Sequence, residues 1–291
     1  MSKNMNYYSQ LFKHISFKQA PFYTLINALI LSLLLFFRIK VIFKISTKFV
    51  NFKLSFEPQN KNMGGRGIFI FREKIEPLMQ YGLKFISKGD VCIDAGANQG
   101  VYTIPFAKIV GSYGKVIAVE PMRYAQEIIK KNIQINNLKN IKIFNGVISD
   151  KIKKYILDYS NGIGSASITR NFGRKKILKV SSTTIDVLFK NYELKKINFI
   201  KMDIEGCEFL ALKGATKTIK RFKPSICLEC DVKNFQRIFS FLKRFSYKAY
   251  LFNSNKLLKI DKITENQSNI FFINKNKIIT GTRRKPKGSE N

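Results

Sequence analysis

Short apolar runs that alternate with helical stretches are the feature of this sequence that most constrains its fold. Continuous apolar runs of four to nine residues are typical of strands buried on both faces, as in a parallel sheet. Strands linked in this way by helices predict an α/β fold with a doubly wound, mostly parallel sheet. The apolar runs lie at residues 91–95, 115–120, 141–149, 198–203 and 225–230, and the helical patterns lie at residues 100–110, 123–136, 208–220 and 234–245.

The remaining segments divide the chain into a main domain and two flanks. Two late apolar runs, at residues 247–252 and 270–273, predict an antiparallel hairpin that closes the sheet. Residues 151–181 carry short alternating segments and glycines, and we interpret them as an insertion over the site. We therefore predict an N-terminal hydrophobic and basic segment, a main domain and a basic, disordered tail, at residues 1–60, 61–275 and 276–291. The sequence NKNMGGRG, at residues 60–67, predicts a flexible break between the first two.

The N-terminal segment contains a hydrophobic stretch, APFYTLINALILSLLLFF, at residues 20–37, with no charge in 18 residues. At about 1.5 Å of rise per residue, a helix of this length could just span a hydrocarbon core. A spanning anchor, an interfacial helix and a core helix packed on the main domain all remain open, and we favour membrane association. The excess of basic residues after the stretch predicts a cytoplasmic main domain.

The chain is strongly basic, with 52 lysines and arginines against 19 acidic residues and a formal net charge of +33. A generally basic surface, an anionic membrane or a nucleic acid could each account for this charge. Nucleic acid is the disfavoured partner, because the sequence has no arginine-rich cluster or RNA-binding signature. Four scattered cysteines predict free, buried thiols and a reducing compartment.

The first apolar run ends in a glycine-rich turn, DAGANQG, at residues 94–100, in front of a predicted helix. The turn differs from the dinucleotide fingerprint because Gly96 and Gly100 are four positions apart, with no third glycine. Asp94 would repel a pyrophosphate but attract the ammonium and sulfonium groups of S-adenosylmethionine. Gly96 allows close approach of the methionyl part, and Asn98 can hydrogen-bond its carboxylate, with help from the helix dipole.

The next two strands end in polar residues that suit the nucleoside part of such a cofactor. Glu120 ends the second strand, where an acidic side chain can accept hydrogen bonds from both ribose hydroxyls. The third strand ends in Ser149 and Asp150, which could reach the adenine amino group. A solvated turn aspartate is the alternative interpretation of Asp150.

An ordered series of motifs resembles the FkbM family, S-adenosylmethionine-dependent O-methyltransferases with the class I Rossmann-like fold. The resemblance covers roughly residues 88–232, and it implies methyl transfer to a hydroxyl of a secondary metabolite, glycan or lipid-linked sugar. The motifs that carry it are VCIDAGANQGVYT, AVEP, GIGSAS, TTIDVL, KMDIEGCEFLALKGA and PSICLE.

The resemblance also implies site residues. It places Asp203 and Glu205 on the active-site floor, and it assigns to the cofactor site Asp94, Gly96, Asn98, Gly100 and Glu120. Ala97 and Tyr102 lie in the same stretch and, with Asp203, Ser149 and Asp150, complete our predicted cofactor set. Many relatives have a histidine after the glutamate of the fifth strand, whereas Cys230 and Asp231 follow Glu229 here.

The only histidine, His14, lies in the N-terminal segment, which disfavours a histidine as the catalytic base. A carboxylate, a lysine or a tyrosine remains. Asp203 and Glu205 are two positions apart at a strand end, so they could converge on one oxygen. Two close carboxylates raise one pKa, which suits a base near neutrality, and Glu229 lies on the same rim. Two carboxylates could also hold a cation, but they do not define a metal site, so no metal is predicted. We interpret Glu208 as a helix-start residue.

The sequence therefore predicts an S-adenosylmethionine-dependent O-methyltransferase that acts on a hydroxyl of a sugar, glycolipid or related metabolite. The hydrophobic stretch at residues 20–37 would place it beside a membrane. One alternative is an RNA methyltransferase, suggested by the charge, and another is a non-catalytic membrane-associated protein that retains the fold.

Overall fold

The structure is a computed structural model. It describes residues 12, 15–58, 65–162, 165–169, 171, 173, 175–253, 256–265 and 267–276. The predicted tail lies outside this part of the chain except for residue 276, and so do residues 60–64 of the predicted break. Residues 65–67 of that break begin a helix instead.

The strands and helices are numbered in chain order over the described residues. The strands are β1 (Val41–Ser46), β2 (Asn51–Phe56), β3 (Val91–Ala95), β4 (Lys115–Val119), β5 (Ile141–Phe144), β6 (Val147–Ile148), β7 (Lys154–Asp158), β8 (Ile177–Thr183), β9 (Phe199–Met202), β10 (Ser225–Cys230), β11 (Tyr247–Asn253), β12 (Lys256–Ile260) and β13 (Gln267–Asn274). The α-helices are α1 (Ile15–Gln19), α2 (Pro21–Phe36), α3 (Gly65–Phe71), α4 (Pro77–Gln80), α5 (Thr103–Val110), α6 (Arg123–Ile135), α7 (Ile185–Asn191), α8 (Glu208–Lys213), α9 (Thr216–Phe222) and α10 (Val232–Lys243).

The central sheet has eight strands in the order β12-β11-β13-β10-β9-β3-β4-β5. Strands β3, β4, β5, β9 and β10 are mutually parallel, because helices carry the chain from each strand to the next. Strands β11, β12 and β13 add antiparallel pairs at one side. The predicted doubly wound, mostly parallel sheet with a late antiparallel part is confirmed. The extra edge strand β12 was not predicted.

The insertion forms a separate three-stranded sheet in the order β6-β8-β7. The run predicted as one strand over residues 141–149 is split, since β5 belongs to the central sheet and β6 to the small one. Gly146 lies at the split with a φ of 158°, and a Cβ there would lie 2.4 Å from the Ser181 carbonyl oxygen. The chain changes sheets at a position that has no room for a side chain.

The hydrophobic stretch forms α2, which packs on α3. Asn27 fixes this contact, because its Nδ2 donates to the Ile70 carbonyl oxygen at 3.0 Å. Among the described residues, no helix is long and apolar enough to cross a membrane. The spanning anchor predicted from residues 20–37 therefore has no support.

A β-hairpin, β1–β2, follows α2 and was not predicted, because residues 1–60 were interpreted as helical and basic. Its inward side chains, Phe43, Ile45, Phe52 and Leu54, join the core that lies under α5. The hairpin is tied to the domain by Asn132 of α6. Asn132 Oδ1 accepts from the Ser55 backbone N at 2.8 Å, and its Nδ2 donates to the Gln99 carbonyl oxygen at 2.9 Å.

Candidate active site

Two cavities meet at the carboxyl ends of the parallel strands, and Asp203 lines both. The larger measures about 650 Å³ out to the surface, and the smaller about 220 Å³. Chain order reverses between β3 and β9, because β4 and β5 extend the sheet on the other side of β3. Open α/β sheets bind their ligands at such a switch point.

Gly96 brings the turn after β3 against the end of β9. Its φ is 78°, and a Cβ on it would lie 1.9 Å from the Asp203 carbonyl oxygen. Any side chain would force the two strand ends apart. The predicted cofactor turn therefore contacts the predicted active-site floor directly, through the backbone atoms of Gly96 and Asp203.

The larger cavity has an apolar side and a polar side. The insertion contributes Leu157, Ala166 and Ile168, whereas Glu120 and Asp203 contribute carboxylates. An apolar slot beside two carboxylates suits a nucleoside that carries a cationic chain, which is the chemistry of S-adenosylmethionine.

Glu120 is buried and holds the cofactor turn. Its Oε2 accepts from the Asn98 backbone N at 2.8 Å, and its Oε1 accepts from the Met122 backbone N at 2.9 Å. Burial raises the pKa of Glu120 to about 7, although these two hydrogen bonds oppose the shift. Each carboxylate oxygen can accept a second hydrogen bond, so ribose hydroxyls can still bind here.

Asp94 lies behind the turn and does not line either cavity. Its Oδ2 accepts from the Thr103 hydroxyl at 2.5 Å, and its Oδ1 lies 3.9 Å from Lys201 Nζ without a hydrogen-bond partner. Burial raises the pKa of Asp94, and the charge of Lys201 opposes this. Its position indicates that Asp94 braces the start of α5 and Lys201.

Three other predicted residues of the cofactor turn are also absent from the two cavity walls. Ala97 is buried, and the Gly100 backbone N donates to the Ala97 carbonyl oxygen at 2.8 Å. The Tyr102 hydroxyl donates to the Glu76 carboxylate. These residues therefore support the conformation of the turn and do not line the two cavities.

The predicted adenine contacts, Ser149 and Asp150, are not on the walls of the two cavities. The Ser149 hydroxyl lies 2.8 Å from the Tyr155 hydroxyl, and Asp150 lies 3.3 Å from Lys213 Nζ. The adjacent residues Val147 and Ile148 line the larger cavity instead.

Asp203 and Glu205 both line the larger cavity, but not through strand alternation. Strand β9 ends at Met202, and Glu205 adopts a left-handed conformation with a φ of 53°. The Ser167 hydroxyl, from the insertion, donates to the Glu205 carbonyl oxygen at 2.7 Å. This bond joins the insertion to the loop that carries the two carboxylates.

Glu229, at the end of β10, joins Asp203 in the smaller cavity. Burial and the neighbouring Asp203 carboxylate raise the pKa of Glu229 to about 8, with smaller effects of Glu205 and Glu208. Near neutral pH the Glu229 carboxyl therefore holds a proton.

Lys201 is a site residue that the sequence interpretation missed. Its buried Nζ lies 3.4 Å from Asp203 Oδ2 and 4.8 Å from the centre of the Tyr102 ring. The surrounding carboxylates, chiefly Asp203 and Asp94, raise its pKa despite burial, so it remains a cation. A lysine inside the apolar run FIKM was the available signal.

Glu208 begins α8, as interpreted, and its Oε1 accepts from the backbone N atoms of Ile204 and Gly206 at 3.2 and 3.3 Å. Within the part of the chain that the structure describes, no group of three or more His, Cys, Asp and Glu residues could hold a metal ion. His14 lies outside that part. The four cysteines are buried and form no disulfide.

Comparison with known families identifies a match to the Methyltransferase FkbM domain over residues 94–249, more than half of the chain. Two curated relatives are each described as a "Probable cobalt-precorrin-6B C(15)-methyltransferase (decarboxylating)". The protein from Sulfolobus acidocaldarius is 34% identical over 74 residues, 25% of this chain and 35% of that protein. The protein from Methanocaldococcus jannaschii is 29% identical over 167 residues, 57% of this chain and 76% of that protein.

Solved structures of methyltransferases and related proteins are also similar to this chain. Methyltransferase FkbM from Methylobacillus flagellatus has a TM-score of 0.45 at 15% identity, covering 72% of this chain and 53% of that one. Fibrillarin from Aeropyrum pernix, solved with natively bound S-adenosyl-L-methionine, has a TM-score of 0.40 at 11% identity, covering 68% of this chain and 71% of that one. This chain thus spans about half of the Methylobacillus chain.

Proposed function

We propose that this protein, which belongs to the FkbM methyltransferase domain family and uses S-adenosylmethionine as its cofactor, methylates a hydroxyl oxygen. The acceptor class that we propose is a sugar, a glycolipid or a related metabolite. The observation that carries the proposal is the position of Asp203, which lines both the larger cavity, with its apolar and carboxylate lining, and the smaller polar cavity.

The larger cavity would hold the cofactor. Glu120 would accept the ribose hydroxyls, Asn98 and the Gly96 backbone would face the methionyl part, and Leu157 would cover the base. When bound, the cofactor supplies a methyl group on a sulfonium, which is transferred by in-line displacement. Asp203 would face the cationic end, so the reacting atoms would lie where the two cavities meet.

The smaller cavity would hold the acceptor. Its polar lining is made of Glu76, Lys201, Asp203, Glu229 and Asn269, groups that hydrogen-bond to hydroxyls. Asp203 would take the proton of the reacting hydroxyl, because Lys201 holds the Asp203 carboxylate at the junction of the two cavities. The protonated Glu229 would stay beside it as a hydrogen-bond donor. A lining of several carboxylates and an amide favours a polyhydroxylated acceptor.

The test is transfer of labelled methyl from S-adenosylmethionine into a fractionated extract of the source cells. We expect label in the glycan or lipid fraction with wild-type protein. With Asp203→Asn the rate of labelling should fall by at least roughly 10²-fold, which is the contribution of a general base. Asp261→Asn is the control, because Asp261 is exposed and pairs only with Lys259 in the salt bridges observed for it. It should match the wild type.

Other results of the same assay would replace the proposal. Label in RNA, with binding that weakens steeply as salt rises, would favour the RNA methyltransferase suggested by the +33 charge. No label in any fraction, despite cofactor binding, would contradict a hydroxyl acceptor in these cells. Failure to bind cofactor as well would favour a non-catalytic protein that retains the fold.

A further inference from the structure

Helix α2 buries polar as well as apolar side chains against the domain. Thr24 and Asn27 are only 2% and 5% exposed, and they share one side of the helix with Ala28, Leu31 and Leu34. The Thr24 hydroxyl donates to the Ala20 carbonyl oxygen at 2.7 Å, at the start of the same helix, whereas Asn27 bonds to α3. This side of α2 is thus held on the domain by packing and by the Asn27 hydrogen bond.

The outward side of α2, with the residue that follows it, is a continuous apolar face. Phe22 is 81% exposed, Leu29 is 65% exposed and Phe36 is 78% exposed. The apolar face of α2 is defined here as these three with Tyr23, Leu25, Ile26, Ile30, Leu33 and Phe37. Large exposed apolar patches on folded proteins mark surfaces that bind a partner or a membrane.

Lysine and arginine side chains lie at both ends of this face and beside it. Residues 1–56 contain no aspartate or glutamate. Lys18 precedes α2 and Arg38 follows it, both exposed, so each end of the helix carries a cation. Lys74 lies beside it, with its Nζ 5.9 Å from the centre of the Tyr23 ring. Apolar residues bordered by lysine and arginine are the pattern of helices that lie in the interface of an anionic bilayer.

We propose that the apolar face of α2 binds the surface of an anionic lipid bilayer, with the helix lying parallel to the membrane plane. One side of the helix stays bonded to α3, so only the outward side enters the lipid. A helix of 16 residues is roughly 24 Å long, which allows this face to lie along the boundary of headgroups and acyl chains.

The positive charge also favours a bilayer over a second copy of this chain as the partner of the apolar face of α2. Two copies joined through this face would bring together cations with no acidic residue of the first 56 positions to neutralise them. An anionic lipid surface supplies the opposite charge and accepts the apolar side chains at the same time. The inference does not depend on the proposed methyl transfer.

The test is flotation of the full-length protein with two kinds of vesicle. One kind is phosphatidylcholine alone, and the other contains one quarter phosphatidylglycerol. We expect the protein to float with the anionic vesicles, to bind the neutral ones at least tenfold less, and to lose part of its binding in 0.5 M NaCl. The triple variant Phe22→Glu, Leu29→Glu, Phe36→Glu should lose binding at least tenfold. It should still fold, since all three side chains face outward.

The control is Tyr113→Glu, which places one new glutamate at an aromatic residue that is 85% exposed on the loop before β4. It should bind vesicles like the wild type. The proposal is overturned if wild-type protein stays unbound with anionic vesicles, or if the folded triple variant floats equally well. Self-association that the triple variant abolishes, without vesicle binding by the wild type, would instead assign the face to a second copy.

Discussion

Gly96 and Asp203 touch although they are far apart in sequence, and this contact sets the geometry of the site. The Cβ that Gly96 lacks would overlap the Asp203 carbonyl oxygen. The cofactor turn and the active-site floor are consequently positioned against each other by backbone atoms. Substitutions of Gly96 should therefore weaken cofactor binding more than they disturb the fold away from this turn.

Gly96→Ala should abolish the rise in melting temperature that S-adenosylmethionine gives the wild type, because the new methyl group pushes the turn away from β9. Gly89→Ala is a matched control, since Gly89 has a similar φ of 81° but nothing within 4 Å of its missing Cβ. Gly89→Ala loses about 1 kcal/mol of stability to the strained conformation, and Gly96→Ala loses this amount and the further cost of the overlap with Asp203. An equal cofactor response in the two variants would contradict the account of the turn.

Glu120 makes cofactor affinity dependent on pH. Burial raises its pKa to about 7, so the carboxyl is protonated below that pH and cannot accept both ribose hydroxyls. Affinity should rise about tenfold from pH 5.5 to 7, a range in which the amino group of the cofactor stays protonated. Calorimetric titration across this range checks the rise, and Glu120→Gln should bind more weakly with a flat profile. A steep profile in that variant would assign the dependence to another group.

The same shift affects the stability of the protein without cofactor. Because the folded-state pKa of Glu120 is above the usual 4.5, the folded state holds the proton more tightly than the unfolded state. The stability that this gives is present below pH 4.5 and is lost as the pH rises towards 7. Cofactor binding should compensate for that loss.

Some site residues could be predicted because they lie at the ends of strands that the sequence pattern identifies. Gly96, Asn98, Glu120 and Asp203 all line the larger cavity, each just beyond an apolar run. Lys201 could not be identified in this way, because its role depends on Asp94 and Asp203 together. The hydrogen bond from Asn269 to Glu76 in the smaller cavity joins residues too distant in sequence for any pattern to reveal.

At the scale of elements, the parallel strands were predictable because strands buried on both faces are continuously apolar. The β1–β2 hairpin was missed because the hydrophobic stretch before it dominated the interpretation. Its alternation, with Phe43 and Ile45 inward, was visible in the sequence. The turn at residues 47–50 closes it, where Thr47 Oγ1 accepts from the Val50 backbone N at 2.9 Å.

Asn132 should be the side chain on which docking of this hairpin depends. Asn132→Ala leaves the buried Ser55 backbone N without its acceptor and frees the Gln99 carbonyl oxygen, at a cost of about 2 kcal/mol. Asn136→Ala removes a similar pair of bonds to Lys53 at an exposed position and should cost under about 1 kcal/mol. Urea denaturation of the two variants measures the difference in their free energies of unfolding. Equal losses of stability would show that docking of the hairpin does not depend on Asn132 in particular.

At the scale of the whole molecule, the scarce acidic residues of a chain with a net charge of +33 gather around the two cavities. Glu120, Asp203, Glu205 and Glu229 line them at the carboxyl ends of parallel strands. A cationic cofactor would find local negative charge in an otherwise basic molecule. The cytoplasmic location and the division of the chain near residue 60 stay predictions.

The larger cavity should bind S-adenosylmethionine, and isothermal titration calorimetry of the full-length wild-type protein measures this binding. We expect one site per chain, with a dissociation constant between roughly 1 μM and 1 mM, the usual range of substrate affinities. Absence of binding heat up to millimolar cofactor, in protein shown to be folded by circular dichroism, would contradict it.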